Sequence, residues 1–249
     1  TIGDPHMELC LDCLPCLMKQ ALDAARKTTD DVEIHRAVME ETLSLLEHYP
    51  NYLNSPDLAR AIHASVKGHT GSFDPYYAMK QGDLASAKAL VPYLKEFLTE
   101  RETSLYWTMK VSAVGNNLDA AVYSNLDVKR CIEQELDKPF AICDLDRMEE
   151  KLQSASRVLI IGDNAGEAVF DKIMIEALPK HLHVTYAVRR EPIINDVTVA
   201  EATEAGIGEV ARILPSGCTA PGTMLGECSE EFLEVYRNSD LIISKGQGN

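Results

Sequence analysis

The spacing of apolar residues changes partway along the chain, and this change limits the fold more than any other feature. Up to about Ser154, apolar residues recur at the intervals of a helix, as at Leu14, Leu17 and Ala21. From Arg157 onward, short β-branched runs alternate with amphipathic stretches of about ten residues. We therefore expect a helical N-terminal part followed by a Rossmann-like α/β part.

The alternation in the second part predicts four strands separated by three helices. The strands are expected at Val158–Ile161, Val184–Val188, Glu209–Leu214 and Leu241–Ser244, and the helices at Glu167–Leu178, Val197–Ala205 and Glu227–Asn238. Connections between parallel strands are right-handed and place helices on both faces of the sheet. The predicted fold class is α/β, a Rossmann-like parallel sheet with helices on both faces, preceded by an N-terminal all-helical domain.

The expected domain boundaries follow from the same change of pattern. We place the helical domain at residues 7–154 and the Rossmann-like metal- and phosphate-binding domain at residues 155–249. Residues 1–6 precede Met7 and are expected to be an expression remnant. Because the chain stops a few residues after a predicted interior strand, we also expect the α/β domain to lack its C-terminal end.

The charge balance limits the partners that the chain can bind. Lys and Arg number 24 against 39 Asp and Glu, so the formal net charge is −15, which disfavours nucleic acid and anionic membranes. No apolar run approaches the roughly 20 residues of a membrane span or forms a signal-peptide core, so we expect a cytoplasmic protein. The odd count of seven cysteines indicates reduced thiols. The oligomeric state is left open.

Polar residues follow each predicted strand. Asp163 and Asn164 come after the first strand, Asp196 after the second, Ser216 after the third and Lys245 after the fourth. Because ligands bind outside the carboxyl ends of parallel strands, we expect these side chains to meet at one edge of the sheet. Carboxylate and carboxamide oxygens are hard ligands that suit Mg²⁺ or Mn²⁺. The sequence therefore predicts a metal site there.

A divalent cation would also solve the problem of binding an anion to an acidic chain. An ion held by Asp163, Asn164 and Asp196 can bridge to phosphoryl oxygens and offset their charge during transfer. Lys245 would add a second positive contact. We therefore expect a metal-dependent phosphatase that hydrolyses small phosphorylated metabolites.

Several of these residues also have simpler interpretations than metal or phosphate binding. Asp196 has about even odds of being only a helix N-cap, and Lys245 alone would be a solvated lysine. A predicted helix carries three cysteines at intervals of three residues, Cys10, Cys13 and Cys16. They could hold a soft metal, although buried apolar thiols are about twice as common an explanation for such cysteines. Their role stays open.

Two other functions fit parts of the pattern. A methyltransferase that uses S-adenosylmethionine would employ Glu191, after the second strand, as its ribose-binding acid. A metal-stabilised ligand-binding module without catalysis is the other alternative, since metal ligands alone prove no turnover.

Several blocks of the sequence resemble one known family, and together they span nearly the whole chain from Met7. They are Ile160–Glu167 with its Asp-Asn-Ala-Gly-Glu core, Asn195–Thr198, Ile243–Asn249, the Cys13–Cys16 C-x-x-C pair, Asp74 and Pro75 with Lys80, and Gly115–Asp119. These blocks are similar to the damage-control phosphatases, the ARMT-like family formerly known only as a domain of unknown function, in its prokaryotic-type subfamily.

The resemblance implies specific roles. It implies metal-dependent hydrolysis of sugar phosphates or damaged phosphometabolites with Mn²⁺, Co²⁺, Ni²⁺ or Mg²⁺. The family's metal ligands match Asp163, Asn164 and Asp196, and Lys245 matches a lysine that contacts phosphate. Further substrate-binding positions implied by the likeness are Glu167, Asn116, Asp119 and Lys80. Ser216, which follows the third predicted strand, is also expected to bind substrate. The native metal, the substrate and the formation of a phosphoenzyme stay open.

Overall fold

The first half of the chain is helical. The computed structural model describes residues 9–101, 104–115 and 132–249. The helices before the sheet are α1 (Cys13–Arg26), α2 (Val32–Glu47), α3 (Ser55–Thr70), α4 (Tyr77–Glu100), α5 (Leu105–Val114) and α6 (Leu145–Ser154), with a short 3₁₀ turn at Tyr49–Asn51. Residues 132–137 are helical as well. Asn116, Asp119 and the expected expression remnant lie outside the described residues.

Local capping chemistry sets the ends of these helices. The side chain of Asn54 accepts a hydrogen bond from the amide of Asp57 at the start of α3, and Pro56 stands in the first turn. The helix ends at Gly71, whose φ of 66° is the left-handed conformation that glycine adopts without strain. The polar and glycine breaks of the sequence therefore delimit α3.

The second half forms the predicted parallel sheet. Its strands are β1 (Arg157–Ile161), β2 (His183–Val188), β3 (Arg212–Pro215) and β4 (Leu241–Ser244), in the order β3-β2-β1-β4 with every pair parallel. The connecting helices are α7 (Glu167–Ala177), α8 (Val199–Glu204) and α9 (Glu230–Asn238). The fold-class prediction is confirmed.

Three predicted boundaries are wrong by two or three residues. The third strand begins at Arg212 rather than Glu209, because Ile207–Glu209 forms a 3₁₀ turn after Gly206, whose φ is 81°. The helix after β2 begins at Val199 rather than Val197, since Thr198 is its N-cap. The helix after β3 begins at Glu230 rather than Glu227, because Leu225–Glu227 forms a 3₁₀ turn and Ser229 is the N-cap. All three errors arise from turns and caps that apolar periodicity does not detect.

Alternate residues of the central strands face opposite layers. On one face, Ile160 and Tyr186 join a core that includes Phe170 of α7 and extends to Leu94 of α4 and Val111 of α5. On the other face, a smaller core forms around Phe232 of α9; its strand residues are Leu159, Ile161, Ala187 and Leu214. Helices of the first half thus cover part of the sheet, while α1, α2 and α3 share a core of their own. The boundary between domains stays a prediction.

The strand order fixes where a ligand can bind. The chain enters the sheet at β1, adds β2 and β3 on one side and then places β4 on the other side of β1. Such a reversal opens a crevice at the carboxyl ends of the two central strands. Among the described residues, no helix is long and apolar enough to cross a membrane.

Candidate metal and phosphate site

The loops that follow β1 and β2 are paired by backbone contacts. Asn164 and Asp196 form an isolated antiparallel bridge, and the amide of Val197 donates to the carbonyl of Asp163 over 2.7 Å. Asp163, Asn164 and Asp196 line one cavity of 460 Å³ at the crevice. The parallel register therefore brings the three predicted metal ligands together, as the strand pattern requires.

Asp163 lies in a crowded and partly buried position. Burial, followed by the nearby Asp196 carboxylate, raises the pKa of Asp163 to about 6. Gly246, in the loop after β4, has a φ of 78°, and a Cβ atom added there would collide with the Asp163 carboxylate. Glycine is therefore required at this position, and two acidic side chains share a space that favours a cation.

Asp196 is held by a buried arginine. Nε of Arg189 donates to Oδ2 of Asp196 over 2.6 Å, and its other nitrogens donate to Thr223 over 3.0 Å and to Asn249 over 2.7 Å. Arg189 is 1% exposed. Burial raises the pKa of Asp196, and the Arg189 guanidinium opposes that shift. Asp196 is thus an oriented acid with one charged partner.

The N-cap interpretation of Asp196 is wrong. Thr198 caps α8, and its backbone amide donates to the Glu201 carboxylate over 2.9 Å, which completes a capping box. The side chain of Asp196 is therefore not needed to begin the helix. The sequence signal for the bond between Asp196 and Arg189 was limited to the position of Arg189 directly after a predicted strand.

Lys245 lies among acidic and hydroxyl groups. Its Nζ is 2.7 Å from Oδ1 of Asp171, 3.2 Å from Oε2 of Glu167 and 2.8 Å from Oγ of Ser112. Burial alone would lower the pKa of Lys245, but Asp171 and Glu167 outweigh burial, so the pKa is raised. Lys245 is thus a fixed cation, which contradicts the alternative of a freely solvated lysine.

Glu167 connects Lys245 to the predicted metal ligands. The amide Nδ2 of Asn164 donates to Oε1 of Glu167 over 2.6 Å, which orients the Asn164 side chain. Glu167 is 1% exposed. Its burial raises the pKa of the carboxyl to about 7, with Lys245 acting in the opposite direction. Glu167 therefore contacts both the predicted metal ligand Asn164 and the predicted phosphate-binding residue Lys245.

Asp171 and Ser112 are site residues that sequence reasoning missed. Asp171 is fully buried and accepts hydrogen bonds from Oγ of Ser112 over 2.6 Å and from the Tyr186 hydroxyl over 2.7 Å. Asp171 stands one helical turn after Glu167, so an acid at that spacing within an apolar stretch was a usable signal. Ser112 lies far away in sequence and offered no such signal.

The described residues that were predicted to bind phosphate or substrate are not among those that line the cavity; they are Lys245, Glu167, Lys80 and Ser216. Lys80 is fully buried, with its Nζ 2.7 Å from Asp74 and 2.6 Å from Glu201, and so joins α4 to α8. The Ser216 hydroxyl is buried and has no hydrogen-bond partner within the described chain. Substrate contacts by these four residues, and by Asn116 and Asp119, stay predictions.

Comparison with known proteins identifies the family to which the sequence belongs. The model of the damage-control phosphatase ARMT1-like domain matches residues 10–249. The chain belongs to the damage-control phosphatase family. The resemblance predicted from the sequence blocks is therefore confirmed, and membership disfavours the methyltransferase alternative.

Relatives from two organisms match most of the chain. A damage-control phosphatase of Pyrococcus horikoshii is 30% identical over 98% of this chain and 85% of that protein. An uncharacterized protein of Methanocaldococcus jannaschii is 29% identical over 96% of this chain and 81% of that protein. The crystal structure of a DUF89 family protein from P. horikoshii aligns with a TM-score of 0.87 at 28% identity, covering 98% of this chain and 86% of that one.

In this chain, three cysteines share the cavity with the acidic residues. Cys10, Cys13 and Cys16 line it beside Asp163 and Asp196. Cys10 and Cys16 are exposed, so the interpretation of these two as buried apolar thiols is wrong. Within the described chain, no three His, Cys, Asp or Glu side chains group closely enough to hold a metal ion. The three predicted metal ligands do not count as such a group, because two of them are acids and the third, Asn164, is an amide.

Proposed function

We propose that the chain is a divalent-metal-dependent phosphatase that hydrolyses phosphate monoesters of small metabolites. The observation that carries this proposal is the meeting of Asp163, Asn164 and Asp196 in one cavity at the switch point of the sheet. Membership of the damage-control phosphatase family supports the reaction class. The cavity volume of 460 Å³ suits a small ligand.

The donor set fits a hard cation. Two carboxylates and one carboxamide supply oxygen ligands, which Mg²⁺ and Mn²⁺ prefer, and Co²⁺ or Ni²⁺ would also be accepted. Burial, followed by the charge of the nearby Asp196, raises the pKa of Asp163, and a cation between the two acids would relieve their repulsion. When bound, such an ion would stabilise phosphoryl charge as a Lewis acid and lower the pKa of a coordinated water.

The surrounding residues would hold the ligands in place. Arg189 binds Oδ2 of Asp196, so Oδ1 is the oxygen that would face the cation. Asn164 donates its Nδ2 to Glu167, so its amide oxygen would be the ligand atom. Partners of this kind set the orientation of metal ligands and are usually needed for full affinity.

Lys245 would stabilise the phosphoryl group. Its ammonium is fixed by Asp171, Glu167 and Ser112 before substrate arrives, so little reorganisation is needed when negative charge develops on the phosphoryl oxygens. Glycine residues beside it let backbone amides approach an anion. Lys245 would thus bind the phosphoryl group and stabilise its negative charge, while Asp163 and Asp196 would hold the cation.

The deciding experiment measures phosphate release from a panel of small phosphate monoesters with each of the four metals. Asp163→Asn and Asp196→Asn each remove a charged ligand at nearly constant volume. Each is expected to lower release by about 100-fold or more, since even supporting groups of a metal site are worth 10- to 100-fold. Asp146→Asn, at an exposed acid on α6, is the matched control and should keep full activity.

Full activity in either ligand variant would refute the assignment. Metal binding by the unaltered chain without phosphate release from any ester would instead favour the non-catalytic ligand-binding module. Calorimetry with each metal ion separates these two outcomes.

A further inference from the structure

Cys10 and Cys13 are already arranged as a thiol pair. Their sulfur atoms are 3.3 Å apart, and the amide of Cys13 donates to the carbonyl of Cys10 over 3.0 Å. A turn closed in this way keeps its end Cα atoms within about 7 Å, the range in which disulfides form. Because the S–S bond is about 2.05 Å long, a movement of roughly 1.3 Å would close it.

The pair is accessible and lies at the cavity. Cys10 is exposed and Cys13 is partly exposed, and both line the same cavity wall as Asp163 and Asp196. A soft metal ion would need further ligands, yet no three His, Cys, Asp or Glu side chains of the described chain form such a group. The geometry therefore favours a bond between the two sulfurs over a shared metal.

We propose that Cys10 and Cys13 are a redox pair that forms a reversible disulfide at the entrance of the cavity, and that closing this disulfide narrows the entrance. The oxidant is a low-molecular-weight disulfide. Formation of the disulfide does not depend on the proposed phosphatase activity. The effect of the disulfide on substrate entry rests on that proposed function.

The exchange proceeds in two balanced steps. The thiolate of Cys10, the more exposed of the two, attacks one sulfur of the small disulfide, forms a mixed disulfide and releases one small thiol. The thiolate of Cys13 then attacks the sulfur of Cys10, forms the internal bond and releases the second small thiol. Two electrons pass from the cysteines to the oxidant, and the two cysteine protons end on the released thiols.

Closure would act on substrate binding rather than on the chemical step. The bond draws together the turn that carries Asp12, another residue of the cavity wall, while the predicted metal ligands lie in the loops after β1 and β2 and keep their positions. The oxidised form should therefore show a KM that is roughly threefold higher or more at unchanged kcat, the signature of weakened uniform binding.

The first test measures the modification itself. The full chain is equilibrated with mixtures of reduced and oxidised glutathione, and peptides are analysed by mass spectrometry. Residues 10 and 13 should become linked with loss of two hydrogens, two fewer of the seven thiols should react after denaturation, and dithiothreitol should restore them.

Single variants identify the pair. Cys10→Ser and Cys13→Ser should each abolish the link, and Cys13→Ser should accumulate glutathione on Cys10. Cys16→Ser and Cys143→Ser, at two other exposed cysteines, are matched controls that should keep it. No thiol loss in the unaltered chain, or an unchanged loss in Cys10→Ser, would overturn the proposal.

The second test compares KM and kcat of the oxidised and reduced chain on one phosphate monoester. Equal KM values would overturn the narrowing of the entrance. Absence of any phosphate release would count against the proposed function, and the mass spectrometry would still decide whether the disulfide forms.

Discussion

Arg189 illustrates what a single buried side chain contributes to this site. Its guanidinium makes separate hydrogen bonds to Asp196, Thr223 and Asn249, which belong to three different loops at the carboxyl edge of the sheet. A planar fork of donors can satisfy three acceptors at once, whereas an ammonium group cannot reproduce that geometry. Arg189 therefore fixes both the charge and the direction of a predicted metal ligand.

Arg189→Lys is expected to weaken the metal site by about 10- to 100-fold, the usual effect of losing a partner that orients a ligand. The measurements are Mn²⁺ binding by calorimetry and phosphate release. Arg190→Lys is the matched control, because Arg190 is the next residue and is exposed. Equal losses in the two variants would show that the fork geometry does not matter.

His63 makes folding stability depend on pH. Burial, followed by the charge of Lys67, lowers the pKa of His63 to about 4 in the folded chain. An unfolded histidine has a pKa of about 6.5, so between these two values the unfolded chain binds a proton that the folded chain does not. Stability is therefore expected to fall as the pH falls through this window, by about 3 kcal/mol in total.

Replacement of His63 tests this linkage. His63→Gln should lose about 3 kcal/mol less than the unaltered chain between pH 6.5 and 4, as measured by urea unfolding at several pH values. His181→Gln, at an exposed histidine, should leave the pH profile unchanged. A His63→Gln profile parallel to that of the unaltered chain would exclude His63 as a source of acid sensitivity.

At the scale of elements, helix α8 shows how a short segment is stabilised by its cap. The helix has only six residues, yet Thr198 begins it with a capping box and Glu201 continues to the buried Lys80 of α4. A helix of this length has little stability of its own, so its ends and tertiary contacts must hold it. The loop that carries Asp196 is anchored by the same cap.

Thr198→Ala is expected to cost about 1 to 2 kcal/mol of folding stability, the range for loss of a threonine cap. Urea unfolding is the measurement. Thr203→Ala is the matched control on the same helix, since Thr203 is exposed and its hydroxyl donates to the carbonyl of Val199. A cost below that of the control would show that α8 does not depend on its cap.

The sequence predicted the elements better than their connections. Strands and helices follow from local apolar periodicity, so β4 was predicted at its observed bounds. The start of β3 was missed because Gly206 turns the chain into a 3₁₀ segment, a choice made by one residue rather than by a repeated pattern. Ile194 adopts a φ of 44° beside the predicted ligands, which its β-branched side chain gives no reason to expect.

At the scale of the whole molecule, the sheet edge was predictable and its surroundings were not. Parallel strands necessarily end together, so the strand pattern alone was enough to predict that Asp163 and Asp196 meet. An apolar stripe predicts that one side of a helix is packed, but it does not identify the element against which that side packs. Cys13 of α1 and Pro56 of α3 therefore could not be assigned to the cavity wall from sequence.

Metal binding should stabilise the molecule as a whole, because the predicted ligands tie the loop after β1 to the loop after β2. At a hundred times Kd, binding adds about 2.7 kcal/mol to the free energy of unfolding. For a chain of this length, that corresponds to a rise in Tm of roughly 5–10 °C, measured by thermal unfolding with Mn²⁺ and with a chelator. Asp163→Asn should lose this shift and Asp146→Asn should keep it. A shift of equal size in both variants would place the stabilising metal elsewhere.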